Sequence, residues 1–187
     1  GHDAATVSSQ AGAFAEGMQA SKVIPTYKHF PGLGRVTANT DTSAGVVDST
    51  TNRSTDAAVG VFANAIAAGA QVIMVSSATY TLIDASAPAV FSSKIVTDML
   101  RTEMGFSGVV ITDDVSAAAQ VQGVAAGDRA VQAIRAGCDI VLASADPTVA
   151  ADMVKAIIAA AQSDPAFAAR VDESATRVLA LKGGLQS

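Results

Sequence analysis

Four short apolar runs, Val23 to Tyr27, Gln71 to Val75, Gly108 to Thr112 and Asp139 to Ala143, stand between polar or Gly/Pro punctuation. They do not alternate with polar residues. Continuous runs such as VIMV, VVIT and DIVL predict strands buried on both faces, the habit of parallel sheets covered by helices. Between them the spacing turns helical: Val7, Ala11, Phe14 and Met18 within Thr6 to Ala20, then Val59, Phe62, Ala63 and Ile66 within Asn52 to Ala68. Ser92 or Ser93 is placed to cap a helix over Ile95 to Met104. Further helices fit Gly127 to Ala136, Pro147 to Ala161, and Pro165 or Asp172 to Leu181. A helix followed four times by strand and helix predicts an α/β fold of parallel strands with right-handed crossover helices. An open doubly wound sheet is the architectural alternative.

One connection breaks the pattern. The segment from Phe30 to Thr51, rich in Gly, Thr, Ser and Asn, follows directly on the first strand. Loops of that length in a compact domain are usually functional lids or disordered.

Composition narrows the partners. Half of the 187 residues are hydrophobic and 16% charged, enough to bury a core. A net charge of −5 with no basic run argues against binding nucleic acid. The single cysteine, Cys138, rules out an internal disulfide and reads as a small buried apolar residue, and two histidines write no zinc motif. No metal or other cofactor is expected. The uncharged stretch from Ala57 to Ile83 is long enough for a membrane span but carries too many polar residues, and Gly69 sits where a helix would end. No charged-then-apolar leader opens the sequence, and processing could have removed one, so the compartment stays open.

In parallel sheets reactive groups collect at the carboxyl ends of strands. There the first run leads into Lys28-His29-Phe30-Pro31-Gly32 and the third into Asp113-Asp114. Adjacent carboxylates repel, so one of the pair needs a partner. Asp114 is placed as an N-cap for the next helix, which leaves Asp113 facing the strand mouth, where a lid carrying Lys28, His29 and Asp41 could meet it. Two such groups are the minimum equipment for glycoside hydrolysis. The bland alternative is that Lys28 and His29 satisfy backbone carbonyls and Asp113 pairs with Lys28. Asp139, at the opposite end of its strand, reads as closing a turn, and Arg170, Asp172, Glu173 and Arg177 as an exposed helix face.

KHFPGLGRVTANTDT, from Lys28 to Thr42, and GFSGVVITDDVSAAA, from Gly105 to Ala119, together resemble the glycoside hydrolase family 3 catalytic barrel, closest to its β-N-acetylglucosaminidase branch. GVAAGDRAVQAIRAGCDIVLAS resembles that family's final strand and VDESATRVLALK its closing helix, so the likeness covers nearly the whole chain. The resemblance implies that residues 1–187 form the carboxyl-terminal half of a TIM (β/α)8 barrel. It implies that Asp113 is the covalent nucleophile of a retaining β-glycosidase and that Lys28 and His29 hold sugar hydroxyls. The expected substrate is a β-linked amino sugar or glucoside.

Two departures stand out. Where that branch carries an acid/base histidine and an orienting aspartate, this chain has Asp41 and Asn39. Three readings are open: Asp41 acts as the acid/base, another group does, or the chain binds sugar without turning it over. The first is favoured. The first half of the barrel, with further sugar-binding groups, has no counterpart here. The missing half, or a second copy of the chain, is therefore the expected partner, and an idle half-barrel that is structural or binds sugar is the alternative to an enzyme. The resemblance associates the branch with bacterial cell-wall recycling, in the cytoplasm or anchored outside.

Overall fold

The computed structural model describes residues 3–53 and 55–184. The chain runs through α1 (Ala4–Ala20), β1 (Thr26–Phe30), β2 (Val47–Asp48), α2 (Ala57–Ala67), β3 (Val72–Val75) and β4 (Thr79–Tyr80). A π-helix (Lys94–Glu103), β5 (Val109–Asp114), α3 (Ala126–Ala136), β6 (Ile140–Leu142), α4 (Ala150–Ser163) and α5 (Pro165–Gly183) follow. The main sheet has the order β1-β3-β5-β6, every pair parallel. Strand order equals chain order with no reversal, so successive right-handed crossovers lay their helices on one face. A doubly wound sheet needs a reversal point, and none exists among these four strands.

One face of the sheet is closed by helices. Ile73, Val75 and Val110 are fully buried there with Val59 and Phe62 of α2 and Ile95 and Met99 of the π-helix. The Phe30 and Phe62 rings meet edge to face with centroids 5.2 Å apart, the geometry aromatic quadrupoles favour. The intervening positions, Met74, Ile111 and Asp113, are only half-buried and point to the other face.

Local chemistry sets the boundaries. β1 begins three residues later than the apolar run predicts, because Pro25 has no N–H to give a ladder, and it ends at Phe30, before Pro31. Lys28 and His29 therefore lie inside the strand rather than after it, and the peptide between them is cis. Asp56 caps α2 through the Ala58 N–H at 2.8 Å, and Asp164 caps α5 ahead of Pro165 at its first position. The expected α-helix at 95–104 is wound wider, with the Met104 N–H bonded to the Met99 carbonyl five residues back. Ser92 does cap it, its Oγ accepting the Ile95 N–H. Gly137 ends α3 at φ 119°, and a Cβ there would stand 2.6 Å from Thr97 Oγ1, so a side chain is excluded twice over.

The supposed exposed face of α5 is something else. Arg170 and Arg177 turn inward with Arg101 of the π-helix onto the Asp139 carboxylate, at 2.8, 3.2 and 2.6 Å. The Val110 N–H and Ser174 Oγ complete its shell, and its side chain is wholly buried. Burial alone would raise the Asp139 carboxyl, but the Val110 N–H and the guanidiniums hold it below the usual carboxylate range. Asp139 thus locks π-helix, sheet and α5 together at the amino end of β6. Cys138 beside it is fully buried, and burial pushes its thiol up to about 12. No helix among the described residues is long and apolar enough to cross a membrane.

Candidate active site

The open face of the sheet carries a cleft of 370 Å³. Lys28, Met74, Asp113 and Leu142, one from each strand of the main sheet, form its floor, and Asp41 reaches it from the long loop after β1. The structure thus brings together three of the four residues singled out by sequence, Lys28, Asp41 and Asp113. His29, the fourth, stands beside them with Nε2 3.8 Å from Asp113 Oδ2. Both places where the parallel ladder loses register, between Tyr27 and Phe30 and between Ile111 and Asp114, fall on the stretches that carry these side chains. Such irregularities re-aim side chains at sites.

The two aspartates divide their work, but Asp114 is not the helix N-cap expected: the next helical turn, Ala119–Val121, has Ala118 at its N-cap. Asp114 accepts the Ser116 N–H at 3.1 Å, the Ser116 hydroxyl at 2.6 Å and the Ser144 N–H at 3.0 Å through Oδ1, and the Ala117 N–H through Oδ2. Burial pushes its carboxyl up, yet these donors together hold it below the ordinary range. It caps a turn rather than a long helix and ties in the loop after β6. Asp113 uses one oxygen for the Asp114 N–H at 2.9 Å and turns the other toward His29. The simple Lys28–Asp113 pair does not form within 4 Å. Lys28 is exposed and borders both this cleft and a neighbouring cavity of 880 Å³ that includes His29, Leu33 and Arg35.

Burial lowers the His29 imidazole, Lys28 adds to that, and Asp113 and Asp41 oppose it; the net direction is below the ordinary value of about 6.5. At neutral pH the ring is therefore neutral beside a carboxylate. A group whose folded pKa is lowered contributes stability above its unfolded pKa and loses it as pH falls through the folded one. The chain has two histidines, so the expectation is easily read by NMR. One imidazole should titrate below the ordinary value, and lower still in Asp113→Asn, where the opposing charge is gone. A His29 midpoint that rises in that variant would remove the coupling.

The long loop is ordered. Tyr80 donates its hydroxyl proton to the Gly32 carbonyl at 2.6 Å, Arg35 bonds Asp56 at 2.5 Å, and β2 pairs with β4. The buried Asp48 accepts the Thr50 and Thr51 N–H groups and the Thr51 hydroxyl. Asn39 does not touch the Asp41 carboxylate; its Oδ1 accepts the Asp41 N–H at 2.8 Å and so builds the turn on which Asp41 stands. Sequence reasoning missed the loop after β6, whose Ser144 and Ala145 also border the cleft. Its only signal was its place at a strand's carboxyl end. No cluster of three or more metal-ligating side chains exists among the described residues.

The profile of the Glycosyl hydrolase family 3 N terminal domain matches residues 1–181. The chain belongs to glycosyl hydrolase family 3. It is 36% identical over its whole length to an uncharacterized secreted glycosyl hydrolase of Arthroderma benhamiae, covering 54% of that protein. It is 39% identical to a beta-hexosaminidase of Psychromonas ingrahamii over 72% of this chain and 40% of the relative. The chain thus spans about half the length of these curated relatives. Among solved structures, a beta-N-acetylhexosaminidase from Beutenbergia cavernae superposes with a TM-score of 0.96 at 61% identity, over 98% of this chain and 54% of that one. A family 3 beta-N-acetylglucosaminidase from Paenibacillus superposes with a TM-score of 0.90 at 28% identity, over 100% and 36%.

Proposed function

We propose that this chain carries the reactive residues of a retaining β-N-acetylhexosaminidase. One observation supports the reading most: Asp113, Asp41 and Lys28 border a single cleft at the strand ends, with His29 beside the nucleophile. Asp113 Oδ attacks the anomeric carbon as the bond to the leaving oxygen breaks, and the Asp41 carboxyl gives that oxygen its proton. Water then adds to the same carbon, Asp41 takes the water's proton, and the bond to Asp113 breaks. Lys28 and His29 hold sugar hydroxyls. The family resemblance favours an amino sugar over glucose.

A second reading has its own observation. β1 and β6 are edge strands, and each runs beside an apolar groove, of 540 Å³ along β1 and 550 Å³ along β6. Phe14 stands 70% exposed beside the first and Leu179 68% exposed beside the second. Edges and apolar surface of this kind call for cover. In this reading the chain is the carboxyl-terminal half of a (β/α)8 barrel, and the other half, or a second copy, pairs with both edges and completes the sugar site.

One experiment tests both. Hydrolysis of aryl β-N-acetylglucosaminides is measured for the chain alone and with an amino-terminal half-barrel from a relative added. Asp41→Ala should cost roughly 10²- to 10⁴-fold on poor leaving groups and little on activated ones. An equal loss on both classes removes Asp41 from acid catalysis. Turnover seen only after the addition assigns the chain to the incomplete half.

A further inference from the structure

The turn after the nucleophile strand reaches back to the loop that carries Asp41. Val46 donates its N–H to Gln120 Oε1 at 2.8 Å, and Gln120 Nε2 donates to the Val46 carbonyl at 3.2 Å. A primary amide offers an acceptor and donors side by side, so one side chain closes a two-bond ring with one residue's backbone. Two main-chain bonds run alongside: the Gln120 N–H to the Thr40 carbonyl at 3.1 Å and the Ala119 N–H to the Asp41 carbonyl at 3.0 Å. Thr40 and Val46 are 2% and 3% exposed, so water cannot readily replace these partners.

Asp41 itself depends on that scaffold. Its residue is exposed, and its carboxylate forms no hydrogen bond or ion pair with a described side chain. Nothing but the main chain sets where the carboxylate stands: Asn39 builds the turn beneath it, and the bonds to residues 119 and 120 hold that turn over the cleft. The same short stretch follows directly on Asp113 and the turn capped by Asp114. One element thereby fixes both carboxylates relative to each other.

We propose that Gln120 is the positioning residue that sets the place of Asp41 over the cleft, an inference that rests on Asp41 being the acid/base. Gln120→Ala removes both side-chain bonds. Gln120→Glu keeps the acceptor for the Val46 N–H but sets a carboxylate oxygen against the Val46 carbonyl. Gln120→Asn retains both functions on a shorter stem.

The test pairs amide exchange with kinetics. In Gln120→Ala, deuterium exchange over residues 38–47 should quicken by roughly tenfold while peptides of β3 and β5 keep their rates. Hydrolysis should fall roughly ten- to hundredfold on poor leaving groups and far less on activated ones, with Gln120→Asn recovering part of the loss. Adding Gln120→Ala to Asp41→Ala should then cost little more than Asp41→Ala alone. Unchanged exchange over residues 38–47 overturns the strap, and exchange that rises equally in β3 and β5 makes Gln120 a general stabiliser and overturns the positioning role. The exchange arm reads the strap with or without turnover. If Gln120→Ala frees the loop but Asp41→Ala leaves hydrolysis untouched, the acid/base reading has failed and the catalytic sense of the proposal falls with it, while the strap stands.

Discussion

Asp113→Asn is expected to cut hydrolysis of an activated aryl β-N-acetylglucosaminide by roughly 10⁴-fold or more without unfolding the chain. The amide oxygen has the shape to keep accepting the Asp114 N–H, so the turn built by Asp114 has no reason to move. What the amide lacks is the charge that forms the bond to the anomeric carbon. An activated leaving group needs little protonation, so its hydrolysis isolates the nucleophile from Asp41. Retained activity near the wild-type level would take Asp113 out of the nucleophilic role, and the neighbouring Asp114 could not inherit it while four donors occupy its oxygens. A covalent adduct trapped by a slow fluorinated sugar on the peptide that contains Asp113, and absent in the variant, would establish the intermediate directly.

The largest loss of stability is expected at the other end of the sheet. Asp139→Ala leaves the guanidiniums of Arg101, Arg170 and Arg177 without their shared partner, with those side chains only 12%, 18% and 24% exposed. Breaking a buried pair from one side costs about 3–5 kcal/mol, a large part of a domain's usual 5–15 kcal/mol. Urea unfolding followed by circular dichroism would show this as a lower midpoint. The pH dependence carries a definite sign. Because the folded Asp139 pKa lies below its unfolded value near 3.9, its contribution is complete above that value and is lost as pH falls through the folded one. The gap between wild type and Asp139→Asn should therefore narrow below about pH 4. A gap under about 1 kcal/mol at neutral pH would mean that the three arginines find water or Glu173 instead.

These two residues show how differently the sequence speaks of function and of stability. Asp113 was legible because a continuous apolar run ends on it, and a strand's carboxyl end is where parallel sheets place reactive groups. Asp139 was visible as the head of a run, but its partners lie 31 to 38 positions away on two helices. Read alone, Arg170, Glu173 and Arg177 match a solvated helix face, since i, i+3 and i+4 spacing looks the same whether the charges face water or a buried carboxylate. Only the approach of α5 to the π-helix separates the two.

The amino-acid sequence by itself determined the four strands of the main sheet, their parallel arrangement, most of the helices and the candidate residues at the strand ends. Those rest on local rules: run length, helical periodicity, caps and the chemistry of strand ends. The tertiary structure decided what depends on distant partners. It shifted β1 by three residues, because its frame is fixed by Thr26 pairing with Val72 and by the prolines on either side. It turned the loop after β1 from a suspected lid into a fixed wall, because Tyr80, Gln120 and Asp56 hold it from elsewhere in the chain. It also brought Asp41 to the cleft that Asp113 occupies, 72 residues on, through bonds to the turn that follows Asp113. No local pattern encodes a hydrogen bond between residues 46 and 120, since its free energy exists only once the sheet has brought the two loops together.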